Sequence, residues 1–333
     1  MSARAKHSAK GETFKVHAGL DEAGYGPMLG PLTIGFSAFR SEEPVDWSTL
    51  SGCVTDDPKG DGARVVVADS KRVFTRNPRG ERRLETTALS FLSASGHGAK
   101  KGLDVVKSAP RGLAPTAEVL GAHPWYAALP QALPHRVPKD ELADRQAELI
   151  RGLSAAHTEV VEAGVVVVPA GRLNDSFAAT ENKGATLWSF NSAVIAHLFE
   201  SFGVDGLDLT VDRLGGRARY GRLLSSLIPF STVDVLGETR ADSRYLVRAE
   251  GRTMRVRFVQ KGDSISLPVA LGSCLAKYAR ELVMGAFNDH FGALCPGVGP
   301  TAGYVTDARR WLGEVERTQP TALQNRDVLV RTR

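Results

Sequence analysis

The thirteen residues Gly19-Leu20-Asp21-Glu22-Ala23-Gly24-Tyr25-Gly26-Pro27-Met28-Leu29-Gly30-Pro31 constrain this chain more tightly than any other stretch. A short apolar run, Phe14 to Leu20, has the pattern of a strand and delivers two adjacent acids at its end. Neighbouring strand residues point to opposite faces, so Asp21 and Glu22 cannot be buried side by side as a simple pair. The segment beyond them turns on Gly24, Gly26, Gly30, Pro27 and Pro31. Glycines there let a ligand approach the backbone and leave N–H groups free to face it. An ordinary strand-end acid pair would be solvated; this loop suits a metal-assisted phosphodiester site.

Leu32 to Phe39 reads as a second strand, forming a hairpin with the first. Arg64 to Ala68 is a short apolar run ending in Asp69-Ser70-Lys71. Val160 to Val168 is apolar and β-branched enough for a buried strand. Asn174 or Asp175 could cap a helix whose body, Ala185 to Phe202, is apolar at helical spacing. Leu207 to Val211 is another strand, with Asp212 at its end. Arg252 to Gln260 alternates strictly and leads to Lys261-Gly262-Asp263, before a long helix from Leu267 to about His290.

Strands and helices alternate late in the chain and a hairpin opens it, which predicts an α/β fold: a mixed sheet flanked by helices. Residues 75–158 interrupt this pattern and read as an insertion subdomain with one amphipathic helix near 139–156, carrying Leu142, Leu149, Ile150 and Leu153 on one side. Residues 231–250 read as a smaller insertion, a β-hairpin. The division that follows is a basic tail at 1–12, a catalytic domain at 13–295 and a helical C-terminal segment at 296–333.

The net charge of +5 and pI near 9.1 are compatible with a polyanionic partner and decide nothing alone. Cys53, Cys274 and Cys295 are widely spaced, without a CxxC pair, and read as reduced thiols. No apolar run approaches the roughly 20 residues that span a bilayer, and residues 1–11 lack the apolar core of a secretory signal. A cytoplasmic protein with no membrane partner is expected. His97, His123, His135 and His157 have no ligand spacing, so surface or packing roles are favoured.

Asp21, Glu22, Asp212 and Asp263 each lie at or just beyond the end of an expected strand. If those strands are neighbours the carboxylates converge, and their repulsion calls for a divalent cation. Oxygen-only ligands select Mg²⁺ or Mn²⁺. Two such ions about 4 Å apart stabilise both the entering and the leaving oxygen of an in-line displacement at phosphorus.

The segment Asp21 to Pro31 resembles the DEAGRGPLAGP signature of type 2 ribonucleases H, the ribonuclease HII family. Further likenesses follow in order. Asp69-Ser70-Lys71 is similar to the family's DSKK segment, and Val211-Asp212 to its "vDG" strand end. Residues 261–284 resemble its KGD…AASILAK stretch, and Gly303-Tyr304-Val305-Thr306 its GYGT segment. The resemblance implies a ribonuclease H-like fold and a metal set of Asp21, Glu22, Asp212 and Asp263, with Asp21 shared by both ions. It implies hydrolysis of the RNA strand of RNA–DNA hybrids, or cleavage 5′ to a ribonucleotide embedded in DNA, by a monomer. The products would carry a 3′-hydroxyl and a 5′-phosphate. The backbone of Gly24-Tyr25-Gly26 would read the 2′-hydroxyl, Tyr304 would stack on the sugar beyond the junction, and Lys71 would contact phosphate. Lys277 and Arg280 are further phosphate candidates, although a solvated helix face is the favoured reading for both.

Tyr25 departs from the family, which has Arg or Lys there, and so removes a cation from beside the scissile phosphate. Arg213 replaces the glycine of "vDG", and Arg309 stands where His is common; both could restore charge. The rival reading is a nucleic-acid-binding protein on the same fold that no longer cleaves.

Overall fold

The computed structural model describes residues 12–60 and 62–332, so the expected tail lies outside it except for Glu12, which accepts from Arg248 Nε at 2.6 Å. Among the described residues nine strands are formed: β1 (Val16–Ala23), β2 (Leu32–Arg40), β3 (Val54–Thr55), β4 (Val65–Val66), β5 (Glu159–Val168), β6 (Leu207–Asp212), β7 (Thr232–Glu238), β8 (Asp242–Ala249) and β9 (Arg252–Val259). The short β3 and β4 pair with each other; the other seven form one sheet in the order β5-β2-β1-β6-β9-β8-β7. In the seven-stranded sheet β1, β6 and β9 run parallel and the remaining pairings are antiparallel, while β3 and β4 pair in parallel. Three antiparallel strands followed by two parallel ones make this a ribonuclease H-like mixed sheet. The hairpin expected at 231–250 is β7 and β8, which widen the sheet beyond β9.

The helices are α1 (Ser70–Val73), α2 (Pro78–Ala94), α3 (Gly102–Val106), α4 (Ala117–Gly121), α5 (Lys139–Ala155), α6 (Ala170–Thr180), α7 (Lys183–Phe202), α8 (Gly221–Leu227), α9 (Leu267–Leu294), α10 (Val305–Thr318) and α11 (Arg326–Leu329). One face of the sheet packs on α6, α7 and α8 through Leu173, Leu187, Val194, Ile195, Leu198 and Leu224. The other packs on α9. Close approach there depends on missing side chains: a Cβ on Gly19 would lie 2.1 Å from Val269 N, and one on Gly35 would lie 2.0 Å from Gly272 O. Both clashes are with backbone, so neither position tolerates a side chain without moving the helix.

Two expectations about local structure need correction. Asn174 and Asp175 sit inside α6, and α7 is capped by Asn182, whose side chain accepts from Ala185 N at 3.0 Å. The Asn174 amide instead donates to Asp327 O and Val330 O, tying down the C-terminus. Residues 75–158 hold four helices rather than one, because the apolar side chains of α2 are diluted by Arg82, Arg83, Thr86 and Thr87 and give only a weak sequence pattern. In α5 the buried side is Leu142, Leu149 and Leu153, with Ile150 52% exposed. α2 and α5 share one apolar core with the outer side of α9.

Candidate active site

Because β1, β6 and β9 are parallel, their C-terminal ends reach the same sheet edge, where ligands of open α/β sheets characteristically bind. β1 brings Asp21 and Glu22 there, β6 ends on Asp212, and the 3₁₀ turn after β9 carries Asp263. Alternation sorts them. Leu207, Leu209 and Val211 face the α7 side, so Asp212 faces α9, as does Asp21 two residues beyond Gly19. Glu22 turns to the opposite face.

Asp21 is buried, and its carboxyl is pushed up to about 8. Burial is the largest cause and the Asp212 charge the next; Asp263 adds to it, while hydrogen bonds from Ser273 and from the Glu22 amide (2.7 Å) oppose it. Ser273 is itself held by a 3.0 Å hydrogen bond to Ser70. Glu22 is pushed well up by burial and by the charges of Asp21 and Asp212, and its Oε2 is sealed from solvent without a hydrogen-bond partner. Asp212 is raised by burial, although it accepts from Gly262 N at 2.7 Å and feels Arg213 and Lys71. Asp263 is raised by burial, then by Asp69 and Asp212. The four sequence-derived acids thus form one electrostatically coupled cluster.

Asp69 is a fifth member that sequence reasoning missed. It opened the DSK segment but was passed over for Lys71. Its Oδ1 caps α1 by accepting from Lys71 N, and with Lys71, Asp212, Arg213 and Asp263 it lines a cavity of about 410 Å³. Among the described residues, no group of three or more acidic, histidine or cysteine side chains is already arranged to hold a metal ion. The donor set and the orphaned Glu22 oxygen nevertheless suit a hard divalent cation by chemistry.

The glycine loop is built against two buried arginines. Arg280, 3% exposed, donates from α9 to Pro31 O, Leu29 O and Ala302 O. Arg331, 4% exposed, donates to the carbonyls of Gly24, Tyr25 and Gly30. The solvated face expected for Arg280 is therefore absent, because α9 is covered there by the loop. Arg331 carried no sequence signal beyond its charge. Gly303 O accepts from Met28 N and Leu29 N, which sets Tyr304 beside the loop. Tyr304 is 54% exposed and opens on a separate cavity of about 670 Å³, away from Asp212 and Asp263.

The hydroxyl of Tyr25 donates to Lys183 O at 2.7 Å, at the start of α7. Gly24 has φ +80°, and a Cβ there would meet Arg280 Cδ at 2.7 Å; a Cβ on Gly26 would meet nothing within 4 Å. Lys71 is exposed and acts on both Asp212 and Asp263. Lys277 pairs with Glu281 at 2.6 Å and lies over the Phe74 ring. Arg213 lies beside Asp212 and donates to Arg240 O. Arg309 is exposed on α10. Cys53, Cys274 and Cys295 are free and buried. Among the described residues no helix is long and apolar enough to cross a membrane.

No protein-family model matches the chain, and no curated protein does. Among solved structures, the chain is similar to ribonuclease HII of Archaeoglobus fulgidus, seen in a complex with PCNA, at 15% identity and a TM-score of 0.43, covering 96% of this chain and 94% of that one. It is similar to ribonuclease H2 of Pyrococcus horikoshii OT3 at 13% identity and a TM-score of 0.41, covering 94% and 92%. Aquifex aeolicus ribonuclease H3 gives 13% identity, a TM-score of 0.42, and coverage of 96% and 72%.

Proposed function

We propose that the protein is a divalent-metal-dependent endonuclease of ribonuclease HII type. It hydrolyses the RNA strand of RNA–DNA hybrids or nicks DNA 5′ to an embedded ribonucleotide. One observation carries this reading: Asp21, Glu22, Asp212 and Asp263 come from distant parts of the chain to one sheet edge, where burial raises the proton affinity of all four and the charge of Asp212 raises that of the other three further. Such clustering costs stability and is expected only where a cation offsets it.

Asp21, Glu22, Asp212 and Asp263 would hold Mg²⁺ or Mn²⁺, with Asp21 at the centre of the charge network. The bound cations would supply the positive charge that activates water and stabilises the leaving oxygen. Gly26 leaves open space at the loop, which suits close approach of a sugar and its 2′-hydroxyl. Lys71 stands at the mouth of the acid cavity in position to meet a phosphate. Tyr304 and the 296–333 segment would contact the strand on the side of the glycine loop. We take the working form to be a cytoplasmic monomer.

The test is a duplex with one embedded ribonucleotide, incubated with Mg²⁺ or Mn²⁺ and wild-type protein or Asp21→Asn. Nicking 5′ to the ribonucleotide that disappears in the variant supports the proposal. Binding without nicking in either metal would replace it with the non-catalytic reading, which the internally engaged Tyr25 hydroxyl favours.

A further inference from the structure

The acid cavity does not end at Lys71. That side chain also lines a second, larger groove of about 850 Å³, formed by Asp57, Pro58 and Lys59 on one side and by Arg72, Thr75, Asn77, Pro78, Arg79 and Arg83 on the other. Five cations face one acid there. Arg83 is spent on the backbone, donating to Val73 O and Pro58 O, and Arg72 reaches Asp56. Lys59 and Arg79 are exposed and have no ion pair among the described residues. The N-terminus of the 17-residue helix α2 opens into the same groove at Asn77 and Pro78, adding its partial positive charge.

We propose that this groove takes the phosphate backbone of the nucleic-acid strand entering or leaving the acid cavity. The inference rests on the nuclease reading for what happens in that cavity, but the groove's chemistry is separate. Several cations along one groove that shares Lys71 with the acid cavity offer contacts to successive phosphates of one strand, whereas an isolated phosphate would need only one of them. Lys59 and Arg79 make sequence-independent phosphate contacts, fixing the register of the strand. Apart from Lys71, which belongs to the Asp69-Ser70-Lys71 segment, the residues that line the groove fall outside the five segments that resemble the ribonuclease HII family.

The full-length protein is titrated, in EDTA so that nothing is cut, with a short fluorescein-labelled DNA duplex carrying one ribonucleotide, across a range of salt. Lys59→Glu combined with Arg79→Glu should lower affinity at least roughly tenfold near 0.1 M salt and reduce the slope of log K against log salt by about 1.8, as two lost phosphate contacts require. A control pair, Arg111→Glu with Arg222→Glu, changes net charge equally but lines no part of the groove and should leave the slope unchanged. An unchanged slope in the groove variant, or an equal loss in the control, overturns the inference, as does a wild-type protein that binds no duplex. Nicking by wild type with an unchanged slope sinks the groove and spares the nuclease. A reduced slope with no nicking in Mg²⁺ or Mn²⁺ does the reverse.

Discussion

Gly24 and Gly26 stand two residues apart in one loop and answer to different constraints. The fold requires Gly24, through its positive φ and the Arg280 side chain packed against it. It makes no such demand of Gly26, which faces open space. Gly26→Ala should therefore leave the melting temperature within about 1 °C of wild type while, under the proposed function, lowering the nicking rate, since the added methyl fills open space proposed for the sugar. Thermal melting and single-turnover cleavage check the pair of outcomes; unchanged cleavage would remove Gly26 from the site. Asp21 makes a pH-dependent prediction. Its carboxyl titrates near 8 in the fold and near 3.8 when unfolded, so between those values the folded state holds the extra proton. Stability of the metal-free protein must then fall as pH rises from about 4 to about 8. Asp21→Asn removes this dependence, and in EDTA at pH 8 it should melt on the order of 5 °C above wild type, with the gap narrowing at pH 5. Equal melting temperatures at pH 8 would show that the carboxylate carries no such burden.

At the scale of elements, legibility tracked the strength of local pattern. The strands β1, β2, β5, β6 and β9 and the helix α9 were readable because alternation or helical spacing coincided with burial. The acids could be placed at strand ends for the same reason, and their convergence followed once β1, β6 and β9 proved parallel neighbours. What stayed hidden depends on contacts between distant segments. Arg280 looked like a surface charge, because nothing in α9 announces that the glycine loop and residue 302 will cover it. Arg331 is 301 to 307 residues from the loop carbonyls it holds. The expected cap fell on Asn174 or Asp175 rather than Asn182 because they too precede an apolar stretch, and only the left-handed turn at Glu181 separates α6 from α7. Gly19, Gly35 and Gly272 are ordinary strand and helix glycines in sequence; their purpose appears only when α9 is laid on the sheet.

Across the whole molecule, residues 75–158 are fastened to α9 by a buried carboxylate. Glu85 on α2 is fully buried and accepts from the backbone amides of His135, Arg136 and Val137 and from Tyr278 OH, with His135 Nδ1 at 2.7 Å. Burial alone would raise its pKa, but the hydrogen bonds from His135, Val137 and Arg136 outweigh it and hold the carboxyl below its usual value. A depressed carboxylate stabilises the fold above its unfolded pKa, and that contribution is lost as pH falls through the folded value. Glu85→Gln keeps the shape but offers one acceptor oxygen in place of two, leaving backbone donors unpaired. It should destabilise the protein by about 3 kcal/mol at pH 7, with the difference from wild type shrinking as pH falls below the ordinary carboxylate value of 4.5 and through the lowered value Glu85 has in the fold. Because Glu85 on α2 ties the 135–137 strap and Tyr278 of α9 together within their shared apolar core, amide exchange should quicken throughout 75–158 before it changes in β1, β6 or β9. Denaturant midpoints at two pH values together with hydrogen exchange read both effects. Uniform acceleration across the sheet would mean that the segment and the seven-stranded sheet unfold as one unit, and that Glu85 is one core contact among many rather than the clasp.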